Sequence, residues 1–387
     1  MTSAANRHAP RGRTGGLPLY PDGVERTPGD VGGWFRTALD DDAESAGSPS
    51  HSLSQPPART AGTPPRSLSQ PSARSAGAAS KGWTPTGGFG LVSPAKDIDA
   101  AARLLWGRPT LVLTGAGMST GSGLPDYRGR DAVPRSPMSY QEFVGSDLSR
   151  RRYWARSTVG WRWFADARPN DAHLTLAELG RRTPLVGVVT QNVDGLHQAA
   201  GSSPVVDLHG DLARVVCLSC GEVTSRIDLQ GRLLKLNPAF FEQATSSESS
   251  NRAQDASTRS GRFAPGTGST SIAPDGDAEV DRTHDFAYPC CDCGGMLKPD
   301  VVYFGENAPR AVTERAHAML DQAEALLVLG TSLSVMSGLR FLRRSAKDGR
   351  PIVIVNDGAT RGDDLATLRL HGRITPILRR WLLAAGP

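Results

Sequence analysis

The sequence predicts an α/β protein: a doubly wound, mostly parallel sheet with a second, smaller metal-binding module. Three observations predict it. Five short runs of β-branched and Leu residues are mostly continuous rather than alternating, helical patterns separate most of them, and a glycine or polar cluster follows each run. A continuous apolar run suits a strand covered on both faces, whereas a strand with one wet face alternates. Alternation of such strands with helices gives parallel crossovers and a Rossmann-like sheet.

The expected strands are Thr110–Leu113, Val186–Val189, Val205–Leu208, Ala325–Leu329 and Ile352–Val355. Apolar spacing predicts helices over Asp97–Trp106, Ser149–Ala167, Asp171–Leu179 and Thr313–Ala323, the second of them long and amphipathic. Residues 1–85 are rich in Ser, Pro, Ala, Gly and Arg and contain a duplication: SLSQPPARTAG at Ser52–Gly62 and SLSQPSARSAG at Ser67–Gly77. So little apolar side chain cannot bury a core, so this segment is expected to be a disordered extension. The stretch 245–276 has the same character and is expected to be an excursion from the small module. The core is then expected over 90–387, its sheet in 90–212 and 297–387, and its metal module in 213–296.

Bulk properties narrow the class. The chain has 387 residues, 38% of them hydrophobic, and a net charge of +5. No apolar run approaches the roughly 20 residues of a membrane helix. No apolar segment follows the N-terminus as in a secretory leader. Arg7, Arg11 and Arg13 without an early acid faintly resemble an organelle transit peptide, but Asp22, Glu25 and Asp30 interrupt the pattern. The expected location is cytoplasmic, with a mitochondrial alternative, and neither membrane nor direct nucleic-acid binding is expected. All five cysteines, Cys217, Cys220, Cys290, Cys291 and Cys293, fall in one region, which reads as metal ligation rather than a disulfide scaffold.

Ligands of open α/β sheets bind beyond the carboxyl ends of the strands. The clusters there are Thr114-Gly115-Ala116-Gly117, Thr190-Gln191-Asn192-Val193-Asp194, His209-Gly210, Gly330-Thr331-Ser332 and Asn356-Asp357-Gly358. Small residues let backbone N–H groups approach a phosphate, so a dinucleotide is the expected guest. A dehydrogenase fingerprint would place a third glycine at Thr120, and no strand-end acid follows at the ribose-binding distance. The first cluster continues instead through Ser119 and a Gly/Ser loop to Asp126, Tyr127 and Arg128, which can close over a ligand.

With GAGMSTGSGLPDYRG at 115–129, TQNVDGLH at 190–197, LHG at 208–210, the paired cysteine motifs and LKPDVVYFGE at 297–306, in that order, the chain resembles the sirtuin family from about Gly90 to Leu383. Arg152-Tyr153-Trp154-Ala155-Arg156 and Val159-Gly160-Trp161 resemble its class II branch. Tyr127 departs from the Phe of many sirtuins. The resemblance implies an NAD-dependent protein lysine deacylase, which moves an acyl group from lysine to ADP-ribose and releases nicotinamide. The implied partner is an acyl-lysine protein or peptide.

His209 is the expected general base, because a neutral imidazole is available near neutral pH. The resemblance directs it to the NAD ribose. Asn192 and Asp194 flank Val193 and are expected to share a side, where they resemble the family's pair at the nicotinamide ribose. The expected NAD-binding set is Gly115, Ala116, Gly117, Ser119, Asp126, Tyr127, Arg128, Gln191, Asn192, Asp194, Gly330, Thr331, Ser332, Asn356, Asp357 and Gly358, to which the resemblance adds Ile374. It also implies that Val301, Phe304 and Gly305 meet the acyl-lysine substrate. Cys217 and Cys220 with Cys290 and Cys293 have the spacing of a structural Zn²⁺ site, and a Cys291–Cys293 pair is the sterically poorer alternative. Rival readings are protein mono-ADP-ribosyl transfer from the same NAD site, a non-catalytic NAD-binding module, and a nicotinamide dehydrogenase.

Overall fold

The computed structural model describes residues 87–130, 132, 136–240, 278, 280 and 283–386. The extension 1–85 with its duplication, and the stretch 245–276, lie outside the described residues. In chain order the strands are β1 (Thr110–Thr114), β2 (Leu185–Thr190), β3 (Val205–Asp207), β4 (Gly210–Cys217), β5 (Val223–Ser225), β6 (Leu297–Val301), β7 (Ala325–Leu329), β8 (Ile352–Asn356) and β9 (Leu368–His371). Six of them form one sheet in the order β3-β2-β1-β7-β8-β9. Every pairing in it is parallel, with Val112 of β1 facing Val188 of β2 and Leu327 of β7.

Strand composition explains the layers. Successive side chains point to opposite faces, so Val112, Leu327 and Val353 enter one core, while Leu111, Leu113, Leu326 and Val328 enter the other. The helices covering the first face are α1 (Ala95–Leu105), α4 (Asp171–Arg182) and α9 (Ile374–Ala384). The second face is covered by α7 (Arg310–Asp321) and α8 (Met336–Lys347). Burying each Leu or Val of these strands stabilises the fold by about 1.5–3 kcal/mol. The five expected strands and four expected helices are present, with ends displaced by up to three residues.

Two further helices, α2 (Tyr140–Gly145) and α3 (Asp147–Asp166), lie beside the large sheet. The buried residues of α3 include Tyr153, Trp154, Ala155, Ser157, Thr158 and Gly160, so it is covered around much of its circumference rather than along one stripe. The reason is that α3 lies between α2 and α6 (Arg226–Leu236). Phe143 of α2 stacks on Tyr303 at 5.2 Å, and Tyr153 meets the same ring at 5.6 Å. From the other side the buried Arg226 guanidinium lies 4.8 Å from the Trp161 ring and bonds the Ser157 carbonyl. A four-residue helix, α5 (Leu196–Ala199), follows β2.

The remaining strands form a small antiparallel sheet in the order β5-β4-β6. At its far end the thiols of Cys217, Cys220, Cys291 and Cys293 all lie within 4.8 Å of one another. This corrects the expected set: Cys291 takes the place of Cys290. The Cys291 N–H donates to the Gly295 carbonyl (2.9 Å) and its own carbonyl accepts from Gly294 N (2.8 Å). That tight turn points Cys291 inward, and neighbouring residues on an extended segment face opposite ways. Cys290 is therefore exposed. Four thiols converging in one place are a donor set that suits Zn²⁺ in a closed, structural site. A side chain at Gly295 would collide with the Cys217 sulfur, at 2.5 Å from an added Cβ, so this position needs glycine.

Zinc content separates the two assignments. Purified wild-type protein and Cys290→Ser are expected to carry about one zinc per chain. Cys291→Ser is expected to lose most of it and to melt at a lower temperature.

Candidate active site

The order of the large sheet reverses between β1 and β7, and the crevice at such a switch point is where open α/β sheets take ligands. The backbone there is closely tied. Gly115 N–H donates to Leu329 O (3.1 Å) and Gly117 N–H to Gly330 O (2.8 Å). A Cβ on Gly330 would stand 2.6 Å from Met118 N, and one on Gly117 2.9 Å from the Gly330 Cα. Glycine at both positions lets the two loops meet and leaves their outer edge as backbone.

Beyond this edge opens a cavity of about 460 Å³. Its lining includes Gly115, Ala116, Gly117, Ser119, Asp126, Tyr127, Arg128, Gln191, Asn192, Asp194, His209, Gly330, Thr331, Ser332, Asn356 and Asp357. Val301, Phe304 and Gly305 line the same space. Two expected residues stand behind the lining. Gly358 lies under the Phe89 ring, and Ile374 joins the core with its Cδ1 against Gly330.

His209 sits at the joint between the two sheets, directly before β4. Leu208 N–H donates to Thr190 O, and His209 O accepts from Val302 N–H, each at 2.8 Å, so its backbone is pinned on both sides. The side chain is equally constrained. Nδ1 lies 3.0 Å from the Gln191 carbonyl, which only accepts, so Nδ1 carries the proton. In the neutral ring Nε2 therefore offers a lone pair, and the Ser337 hydroxyl donates to it at 2.8 Å. Burial holds the His209 pKa below its usual value, with the Gln191 carbonyl opposing the shift. The ring is thus neutral near pH 7.

Asn192 and Asp194 come together through a third residue. Ser119 Oγ accepts from Asn192 Nδ2 (2.9 Å) and donates to Asp194 Oδ2 (2.6 Å). The other Asp194 oxygen accepts from Leu196 N–H at 3.0 Å. Burial raises the Asp194 carboxyl pKa, while the Ser119 hydroxyl bond opposes the rise. Asn170 ties the loop to α4: it caps that helix and its Nδ2 donates to Met118 O (2.9 Å) and Ser122 Oγ (3.0 Å). On the opposite wall Thr331 Oγ1 donates to Gln191 Oε1 at 2.7 Å. Leu333 just beyond it adopts φ 55°, a conformation that costs a non-glycine residue about 1–2 kcal/mol.

The remaining groups shape the ends of the crevice. Asp126 accepts from Gly129 N–H (2.8 Å) and turns the loop that carries Arg128, whose pKa burial lowers. Tyr127 meets Phe304 edge-on at 6.1 Å. Glu306 accepts from the Tyr303 N–H (2.9 Å) and from Lys298 Nζ (3.1 Å), which fixes the turn after β6. Asp300 pairs with Arg214 at 2.8 Å and does not line the cavity. His173 and His197 are buried behind the site, where burial lowers their pKa values to about 4 and about 3.

Sequence reasoning missed Phe89, Glu306, Arg340 and Ser337, all of which line the cavity. Ser337 lies at the start of α8, a helix whose apolar spacing over Met336–Lys347 was the available signal.

Comparison with known proteins follows the same lines. The Sir2 family model matches residues 115–337. NAD-dependent protein deacetylase 1 of Mycobacterium avium is 48% identical over 276 residues, 71% of this chain and 91% of that one. NAD-dependent protein deacetylase 1 of Streptomyces coelicolor is 47% identical over 301 residues, 76% of this chain and 92% of that one. The solved structure of Sir2 with a p53 peptide and NAD+ superposes with a TM-score of 0.53 at 28% identity, covering 72% of this chain and 94% of that chain. With the glycine-lined switch point, the restrained His209 and the matched span in agreement, this chain belongs to the Sir2 family, the sirtuins.

Proposed function

We propose that this protein is an NAD-dependent protein lysine deacylase acting on acyl-lysine side chains of proteins or peptides. The observation that carries the reading is His209, held by the Gln191 carbonyl in the one neutral tautomer that turns a basic Nε2 toward the cavity. The relatives' names and the NAD- and peptide-bound structure support the same reading.

The residues fit NAD. The N–H groups of Gly115, Gly117 and Gly330 are taken by carbonyls, so the turn would receive the phosphates at the Ala116 N–H. Arg128 adds a cation to the same cavity, and the Asn192–Ser119–Asp194 chain lines it together with His209. NAD supplies a ribose carbon that accepts the acyl oxygen as nicotinamide leaves. His209 takes a ribose hydroxyl proton at Nε2. Asp194, which lines the same cavity, would offer a carboxylate to the ribose, where developing positive charge is stabilised most in a dry site. Val301, Phe304 and Gly305 hold the acyl chain and the peptide backbone, and an extended substrate pairs there by its main chain. The four-thiol cluster serves as a structural zinc site. Assignment to the class II branch rests on the Arg152-Tyr153-Trp154-Ala155-Arg156 and Val159-Gly160-Trp161 motifs, of which Tyr153 and Trp154 are buried on α3. Among the described residues no helix is long and apolar enough to cross a membrane, and cysteines gathered as metal ligands suit the reducing cytoplasm.

Nicotinamide release from NAD, measured with a panel of acyl-lysine peptides, tests the reading. Release is expected only when an acyl peptide is present, and His209→Ala is expected to lower kcat/KM by about 10²–10⁴-fold. Labelling of protein by ADP-ribose without acyl-lysine turnover would overturn it in favour of ADP-ribosyl transfer. The pH profile is a second check. Because the His209 pKa is lowered, the ring stays a base into more acidic solution, so the acid limb of kcat/KM is expected below about pH 6.5.

A further inference from the structure

We propose that Ser337 is a positioning residue for His209: its hydroxyl holds the neutral imidazole in its working direction and then steadies the imidazolium once the ring has taken a proton. The inference rests on the general-base role given to His209 above.

The start of α8 is built against the base. Ser337 Oγ lies 2.8 Å from Nε2. The next residue, Gly338, has no side chain to hold the helix away: a Cβ there would stand 2.6 Å from Gln191 Nε2. Gln191 in turn receives the Thr331 hydroxyl at its side chain and the His209 Nδ1–H at its carbonyl. Both ring nitrogens are therefore gripped by one small assembly of Gln191, Thr331 and the first turn of α8. Among the described residues the ring has no third hydrogen-bond partner.

The chemistry of a hydroxyl suits both charge states of the ring. Toward neutral His209 the Ser337 O–H donates to the Nε2 lone pair. Nε2 has a single lone pair, so the Ser337 O–H first turns away about its Cβ–Oγ bond and yields it to the ribose hydroxyl. The ribose O–H bond then breaks, its electron pair stays on oxygen, an N–H bond forms at Nε2, and the Ser337 oxygen accepts from that N–H, neither losing nor gaining a proton. A hydrogen bond from a charged donor is stronger than one between neutral groups. Ser337 thus favours the imidazolium and raises the basicity that burial depresses.

Other ionisable groups stand on the elements around the ring. They are Asp194 after β2, Asp207 on β3, Asp211 on β4, Asp300 on β6, His317 on α7 and Arg340 on α8. Asp207 is held by Gln198 at 2.8 Å and Asp300 by Arg214 at 2.8 Å. None of these groups hydrogen-bonds the imidazole, so Ser337 is the side chain placed to tune it.

The test titrates His209 by NMR in the full chain, labelled at histidine, without NAD or peptide. Ser337→Ala is expected to lower the His209 pKa by about half a pH unit or more. It should move the acid limb of kcat/KM the same way and lower the plateau several-fold. Ser337→Thr keeps the hydroxyl and should restore both. If the alanine variant does not fold, Ser337→Cys, a weaker acceptor, should give the same displacement. An unchanged or raised His209 pKa in the folded Ala or Cys variant overturns the proposal, as does a Thr variant that behaves like Ala. The titration needs no turnover. Absence of nicotinamide release by the wild type would therefore sink the deacylase reading while leaving the Ser337 result to stand on its own.

Discussion

The site depends on the meeting of two backbone turns, one after β1 and one after β7. Gly117 N–H bonds to Gly330 O across the point where the sheet changes direction, and neither glycine could carry a side chain without parting the loops. Everything else is placed from this contact. Ser119 follows the first turn and reaches Asn192 and Asp194; Thr331 follows the second and reaches Gln191. The two turns thus hold the loop after β2 between them, and that loop holds His209 through a single carbonyl.

The electrostatics follow from burial as much as from charge. His209 is pushed toward its neutral form and Asp194 toward protonation, both chiefly by loss of water. Each is offset by a specific hydrogen bond, from the Gln191 carbonyl in one case and the Ser119 hydroxyl in the other. A base that is neutral and an acid that is constrained, both beside one cavity, suit a reaction in which positive charge develops and a proton departs. Burying unsatisfied charge is costly, so these short bonds to neutral partners also make the site compatible with a stable fold.

Much of this was legible in the sequence because the sheet is buried on both faces. Continuous runs such as Ala325–Leu329 leave no other reading, and the residues that follow each run mark the ligand side. Leu368–His371 escaped notice because an edge strand of four residues alternating Leu with Arg and His has too few apolar residues to stand out. The helix at Met336–Lys347 was missed although its apolar spacing is regular, and Ser337 went with it. Spacing favours Cys290, whose C-x-x-C pair with Cys293 is the less strained one, and here it misleads. The turn from Cys291 to Gly295 decides which sulfur faces inward. Gly358 and Ile374 show a similar limit: a residue can follow a ligand-side strand and still face the core.

The strand β4 begins at the residue after His209 and ends at Cys217, inside the thiol cluster. The register shifts between Gly210 and Val215, so the two ends of β4 face Val301 and Leu297, four residues apart on β6 and so separated by roughly 14 Å, and none of the five cysteines lines the cavity. An ion that takes no part in the reaction therefore anchors the far end of the strand on which the base is mounted. Loosening that anchor frees β4 and β6 together, because they are paired through Val301 and Gly210 next to the base. Metal supply becomes a mechanical condition on acyl turnover, felt along a strand rather than through any shared ligand.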